Sequence, residues 1–311
     1  MSPVTNEMKR VQGAAIAHGA EHIGDVLMYD AESLKVARTA LKAAFTAEGL
    51  GELVAETMTP VAALGRAQSR PMPRTMRVAT FARPNNDTAH AIGIYVKMER
   101  PGEGGDLWPC GARVRVEAGR IVALAPEGHD AIPEAMEIAR AIADDASELL
   151  TFAETTDVTA AAIAAITGPY MGVAMRKRGG AYFVRPAEGQ RWQRLAARLA
   201  PYGFVDLSYP MAGDNRSAAA ASHVAKGALE TDLAALRAEV EAFDDKTRTS
   251  TMEKRIDAAD TLLAKADLYA DLLGDWVARL RRDTDKVKVA VQRKLDKDAD
   301  DFTFGRAANG D

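Results

Sequence analysis

The sequence predicts an α+β protein: a small antiparallel sheet with helices, a winged-helix-like segment, and a C-terminal antiparallel helical hairpin forming a coiled coil. Three observations carry this expectation. Over 75–125 apolar and polar residues alternate, the period of half-buried strands. Arg178-Gly179-Gly180 lies between two short strand-like runs, a hairpin signal with helical segments on either side. From 217 to 297 apolar residues recur in steps of four and three, the period of a left-handed coiled coil. The expected division is an N-terminal α+β domain over 1–128, a winged-helix-like domain over 129–213, the helical hairpin over 214–298, and a disordered tail over 299–311.

Composition bounds the function. The chain has 311 residues, 47% of them hydrophobic, enough for two or three domains with real cores. A formal net charge of -4 excludes the global basic field of a DNA-packaging protein, so any nucleic-acid affinity must be local. Cys110 is the single cysteine, and no internal disulfide is possible. With no signal peptide and no apolar run near the ~20 residues of a membrane span, the expected setting is the reducing cytoplasm of a prokaryotic or phage-infected cell. No membrane partner and no cofactor are expected.

Taken in order, 1–28 carry His18-Gly19-Ala20-Glu21-His22, which matches the H-x-x-E-H zinc pattern. Two histidines four apart on a helix would share a face, Glu21 could act as base, and Glu99 could supply a third ligand. Gly19 weakens that helix and Glu99 ends a strand beside a Pro-Gly loop, so a zinc-dependent hydrolase is the remote alternative and no metal is assigned. Asp30 is a candidate cap for a helix from Ala31 to Glu48, with Leu34, Ala37, Leu41, Ala44 and Phe45 inward and Gly49 as the stop. Thr59-Pro60 opens a second helix to about Ala67. Strands follow at Thr75–Arg83, Thr88–Glu99, Ala112–Glu117 and Arg120–Ala125, with the outer pairs antiparallel. Pro101–Leu107 is glycine-rich but has neither the lysine nor the following helix of a phosphate-binding loop. Cys110 packs against the sheet in this reading; His90 is the one nearby partner a nucleophilic role could use.

In the second segment, helices at Ile132–Ala153 and Val158–Ile166 precede strands Gly172–Lys177 and Ala181–Arg185. A helix at Gln190–Leu199 and a strand at Phe204–Ser208 complete it. Arginines on a projecting ribbon can hold phosphates, and exposed aromatics can stack on bases. The candidate nucleic-acid-binding residues are therefore Arg176, Lys177, Arg178, Tyr182 and Arg185, followed by Arg191, Arg194 and Arg198.

The C-terminal run reads as two helices. The first carries Leu229, Leu233, Leu236, Val240 and Phe243. The second carries Met252, Ile256, Ala259, Leu263, Ala266, Ala270, Leu273, Val277, Leu280, Thr284, Val287 and Val291. The register breaks between Phe243 and Met252, where Ser250 and Glu253 fit a capping box. A hairpin fits the break; one bent helix is the alternative. Gly274 is the weak point of the second helix, with Asp275 able to re-cap. The expected coiled-coil interface is Leu233, Leu236, Val240, Ile256, Leu263, Leu273, Val277 and Leu280. The end of the second helix is basic, with Arg279, Arg281, Arg282, Lys286, Lys288, Arg293, Lys294 and Lys297 among aspartates.

Arg178-Gly-Gly-Ala-Tyr-Phe-Val-Arg-Pro, Thr247-Arg-Thr-Ser-Thr-Met-Glu-Lys-Arg-Ile with its continuation to Gly274, and Leu50–Ala67 resemble a group of phage and prokaryotic proteins defined as a domain of unknown function. The resemblance runs from about Ala31 to Gly274. It implies a prokaryotic or phage origin and no recognised enzyme signature, and it transfers no catalytic residue.

The leading expectation is a non-enzymatic protein of phage or mobile-element type. It would associate with DNA or RNA through the basic hairpin and self-associate, or meet a protein partner, through the helical hairpin. The alternative is an adaptor or oligomeric scaffold without nucleic-acid binding.

Overall fold

The computed structural model describes residues 3–69, 71–80, 91–98, 106–176, 180–244 and 247–307. Its contacts divide the chain into two units, 1–31 with 162–311, and 32–161. The second unit is one continuous segment, set between the two segments of the first.

The chain begins with helix α1 (Pro3–Ala17), strands β1 (His22–Leu27), β2 (Tyr29–Asp30) and β3 (Lys35–Ala37), and helices α2 (Arg38–Thr46) and α3 (Pro60–Ala67). Strands β4 (Met76–Thr80), β5 (Ala91–Val96), β6 (Cys110–Glu117) and β7 (Arg120–Leu124) follow, then helix α4 (Pro133–Thr151), strand β8 (Phe152–Glu154) and helix α5 (Thr155–Thr167). Next come β9 (Val173–Ala174), β10 (Tyr182–Val184), helix α6 (Pro186–Leu199), β11 (Val205–Asp206) and β12 (Tyr209–Ala212). The chain ends in α7 (Asn215–Glu241), α8 (Thr249–Leu268), α9 (Ala270–Leu273) and α10 (Trp276–Ala307).

In the 32–161 unit, β4 to β7 form an antiparallel meander in chain order. The alternation read from the sequence sets its two faces. Ile92, Ile94, Ala112, Val114 and Ile121 point to one side and are buried with Leu64 of α3 and Ala135, Ala139, Ile142 and Leu149 of α4. Thr59 caps α3 by accepting from the Ala62 amide at 3.2 Å, as the Thr-Pro pair predicts. Helix α4 belongs here, packed on the sheet, and not with a winged-helix-like segment. The helix expected from Ala31 starts later, at Arg38. Its first part is β3, paired antiparallel with β8, and the Leu34 amide donates to Thr155 Oγ1 at 2.9 Å. Buried Arg38 then donates to the Leu149 carbonyl at 2.8 Å and pairs with Asp157 at 3.1 Å, a tertiary lock that outweighs local helix propensity.

In the other unit the central strand is β1, which the sequence reading did not assign. It lies between β12 and β10 in a four-stranded sheet ordered β12-β1-β10-β9, and all its residues from Ile23 to Leu27 are buried. A strand covered on both faces shows no alternation, which is why periodicity does not find it. This sheet also removes the winged-helix arrangement: β10 is bonded to β1 along the edge that a projecting ribbon would leave free.

The helical run forms three long helices, not two. Paired charges Arg281–Asp267 and Lys288–Asp260 fix α10 antiparallel to α8. Arg237–Asp283 and the Lys294 ammonium on the Val240 and Phe243 carbonyls fix α10 parallel to α7. The fold-back occurs at Gly274, whose φ of 57° and ψ of -141° suit only glycine. Leu233, Leu236, Val240, Leu273, Val277 and Leu280 are buried together in this bundle. Ile256 is partly buried, while Leu263 is half-exposed and Ala270 exposed. Leu262 and Tyr269 take the inward places because the turn at Gly274 releases α8 from the register of α10. The Tyr269 hydroxyl lies 3.1 Å from the carbonyl oxygens of both Met171 and Phe183 and donates to one at a time. The expected Ser250–Glu253 box is not the cap of α8, which begins at Thr249 without a side-chain cap. Helix α10 runs through Ala307, where a disordered tail was expected.

Gly274→Ala is expected to destabilise the bundle by about 1–3 kcal/mol. A Cβ there would meet nothing within 4 Å, so the cost is backbone strain alone. Urea denaturation of the variant checks this; an unchanged midpoint would show that the turn tolerates another conformation.

Candidate nucleic-acid interface

The interface begins with the face of the β4–β7 meander turned away from α3 and α4. Residues alternating with the buried ones must project there. Arg77 is exposed and stands opposite Tyr95 in the β4–β5 register. Gly93 stands opposite both Ala79 and Arg113, and Arg113 opposite Leu124. Arg115 stands opposite Ala91 and Val122. A guanidinium–indole stack joins this row: Arg77 lies 3.9 Å from the ring centroid of Trp108. Trp108 is brought there by the segment before β6, where Met98 and Leu107 form a β-bridge and the Val96 amide donates to the Pro109 carbonyl at 3.1 Å.

The charges on this face are unequally used. Arg113 pairs with Glu127 at 3.3 Å, Arg115 with Glu117, and Lys97 with Asp106 at 2.9 Å. Arg77 and Arg120 have no acidic partner among the described residues. The face thus offers aromatic planes and guanidinium planes side by side, with a positive excess. Such a surface can stack unpaired bases and hold phosphates. The signal for it was present in Arg113-Val114-Arg115-Val116, where arginines alternate with core valines. Trp108, supplied from outside the strands, was not legible that way.

The residues expected from the sequence belong to the other unit. Arg176 is exposed, with its guanidinium against Gly180. Lys177 and Arg178 lie outside the described residues. Tyr182 is buried at 5% exposure and Phe183 is fully buried, so neither ring can stack on a base. Arg185 is turned inward: it donates to the Ile23 carbonyl at 2.9 Å and to Asp271 at 2.6 Å. Arg191 covers the Tyr170 ring. The hairpin therefore spends its aromatics and Arg185 on the core.

The histidine pattern is also broken by the fold. Helix α1 ends at Ala17, so His18 lies in the following turn and His22 opens β1. The shared helical face that a zinc site needs is not made. Glu99 and His90 lie outside the described residues. Among the described residues no group of three His, Cys, Asp or Glu side chains could hold a metal ion. Instead His22 Nε2 sits 3.2 Å from Oδ2 of buried Asp25, and neither atom has another polar partner. Burial pushes the Asp25 carboxyl up to about 6, with the neighbouring Asp206 adding to the rise and His22 opposing it. Cys110 is half-buried and its thiol contacts the Ala112 carbonyl at 3.3 Å.

The profile of a family of unknown function, DUF6744, matches residues 111–301, more than half of the chain. The chain belongs to this family. The DUF6744 match starts at Gly111 in β6, so it includes Arg113 and Arg115 but not Arg77, Tyr95 or Trp108. It ends within α10 and spans the bundle. No curated protein and no solved structure matches the chain. No described helix is long and apolar enough to cross a membrane.

Proposed function

We propose that the chain binds single-stranded nucleic acid on the outer face of the β4–β7 meander, acting by binding and not by catalysis. The observation that carries this reading is the Arg77–Trp108 stack beside Tyr95, on a face that also bears Arg113, Arg115 and Arg120. A duplex keeps its base faces stacked on one another; a single strand presents them to aromatic and guanidinium planes. A sheet face with such planes therefore favours single strands, and the sugar–phosphate backbone meets the arginines. The nucleic-acid association expected from the sequence is kept, but its seat moves from the hairpin to the sheet. Assembly through the helical seam draws less support, since Leu233, Leu236, Val240, Leu273, Val277 and Leu280 are already covered within one chain.

The test is fluorescence anisotropy with labelled oligothymidylate, oligouridylate and a mixed-sequence duplex. The wild-type protein is expected to prefer the single strands, with affinity falling steeply as salt rises. Arg77→Ala with Arg115→Ala is expected to weaken binding at least about tenfold, the lower end of one lost stacking contact plus one lost phosphate contact. Arg176→Ala is expected to leave it unchanged. Wild-type affinity in the Arg77/Arg115 variant would overturn the reading.

A further inference from the structure

Seven of the basic residues on α10 that the sequence marks as a cluster are sorted by the bundle into two groups. Arg281 and Lys288 face α8 and are held by Asp267 and Asp260. Lys294 is held by the Val240 and Phe243 carbonyls of the α7 end. Arg279, Arg282 and Arg293 are exposed and make no ion pair among the described residues. Lys286, on the same stripe, has a side chain 74% exposed and, among the described residues, pairs with Asp283 of its own helix. Steps of three, four and seven residues put these four side chains along one side of α10, a ridge of roughly 20 Å at ~1.5 Å per residue.

Acidic residues stand around this ridge. Asp283 beside it has a carboxyl held below the usual range by its hydrogen bond to Lys286, with the charges of Lys286 and Arg237 adding to the effect. Asp275, Asp285 and Asp296 flank the ridge and Glu230 of α7 lines the adjoining groove, so the positive charge is confined to the row itself. Trp276 and Arg279 also line that groove, of about 190 Å³, between α7 and α10. A row of guanidinium groups at helical spacing matches a row of phosphates by charge.

We propose that this ridge of α10 is a second contact for the phosphate backbone of nucleic acid, separate from the sheet face. The inference takes its ligand class from the reading above, and its own contribution is the location and the sequence-independent, purely ionic mode. The ridge contributes phosphate contacts and no base stacking.

The two surfaces carry separate reporters, Trp108 on the sheet and Trp276 beside the ridge, while Trp192 is fully buried. Full-length protein is titrated with labelled oligothymidylate over a range of salt concentrations. Arg279→Ala/Arg282→Ala/Arg293→Ala is expected to reduce the slope of log affinity against log salt by about 2, at ~0.7 per single-strand phosphate contact. The triple Arg→Lys variant is expected to retain the slope, which separates charge from helix stability. In a Trp108→Phe background, Trp276 emission is expected to change on binding. An unchanged slope in the triple alanine variant, with the sheet variant still weakening binding, overturns the ridge and leaves the sheet. A reduced slope with an inert sheet variant overturns the sheet and leaves the ridge. No binding of wild-type protein overturns both.

Discussion

Asp25→Asn is expected to raise the thermal midpoint at pH 7 and to flatten the dependence of stability on pH between about 4 and 6. Asp25 is only 2% exposed on the central strand β1, and burial pushes its carboxyl up to about 6 from an ordinary value of 3.8. A carboxyl whose pKa rises on folding binds its proton more tightly in the native state. Stability is then greatest below about pH 4, falls as pH rises through the interval to about 6, and stays at the lower level above it. The ionised form therefore costs roughly 3 kcal/mol at neutral pH, at ~1.4 kcal/mol per pKa unit. Asparagine has nearly the same shape, cannot ionise, and can donate to the unpartnered His22 Nε2.

The groups packed around Asp25 decide whether that assignment holds. His22 stands on its own strand, Asp206 on β11 adds a like charge, and Arg185 at the start of α6 is already committed to the Ile23 carbonyl and Asp271. Asp206 in turn accepts from the Trp192 indole at 3.1 Å and from the Ser208 amide at 3.0 Å, which keeps its own charge solvated by fixed donors. Among the described neighbours, His22 is the one cation-forming group that contacts the Asp25 carboxyl. Thermal melts of wild type and variant at several pH values from 4 to 8 measure the difference. A variant that melts lower than wild type at pH 7, or that keeps the wild-type pH slope, would show that Asp25 is stabilised by a partner and not strained by burial.

How much of this was legible in the sequence depends on whether a single element sufficed. The meander strands were readable because Arg77, Tyr95, Arg113 and Arg115 alternate with Val78, Ile94, Val114 and Val116, and a pleat enforces that alternation locally. Thr59-Pro60 marked the start of α3 for an equally local reason. What failed was long-range. Lys35–Ala37 read as helix until β8, more than a hundred residues on, supplied a strand partner. Leu263 and Ala270 fit a seam that a turn at Gly274 then rotates away from the core. Tyr182 looked like a stacking residue on a ribbon because nothing in the sequence says that β1 will cover that ribbon's edge. The sheet face, too, needed Trp108 to arrive over Arg77, a contact between segments some thirty residues apart.

Gly24→Ala is expected to be severely disruptive, costing more than about 3 kcal/mol and lowering the yield of folded protein. An added Cβ would stand 2.3 Å from the Val184 carbonyl oxygen and 2.5 Å from two ring atoms of Phe183. Neither can retreat. Val184 and Phe183 are fully buried, β10 is bonded to β1 at Asp25–Val184 and Val26–Phe183, and the Phe183 carbonyl is one of the two acceptors for Tyr269. Relieving the clash therefore means opening the β1–β10 pairing or loosening the anchor that ties the helical bundle to this sheet. The register shift between His22 and Gly24 in the β1–β12 pairing already bends the strand at this point, which leaves no slack for a further adjustment. Gly227→Ala on α7 is the control, because a Cβ there meets nothing within 4 Å; it is expected to stabilise the helix by up to about 1 kcal/mol. Urea denaturation of the two variants beside wild type separates a steric effect from a general response to lost glycine. If Gly24→Ala unfolds at the wild-type midpoint, β1 does not occupy the centre of this sheet in solution, and the inward placement of Tyr182 and Arg185 would have to be abandoned with it.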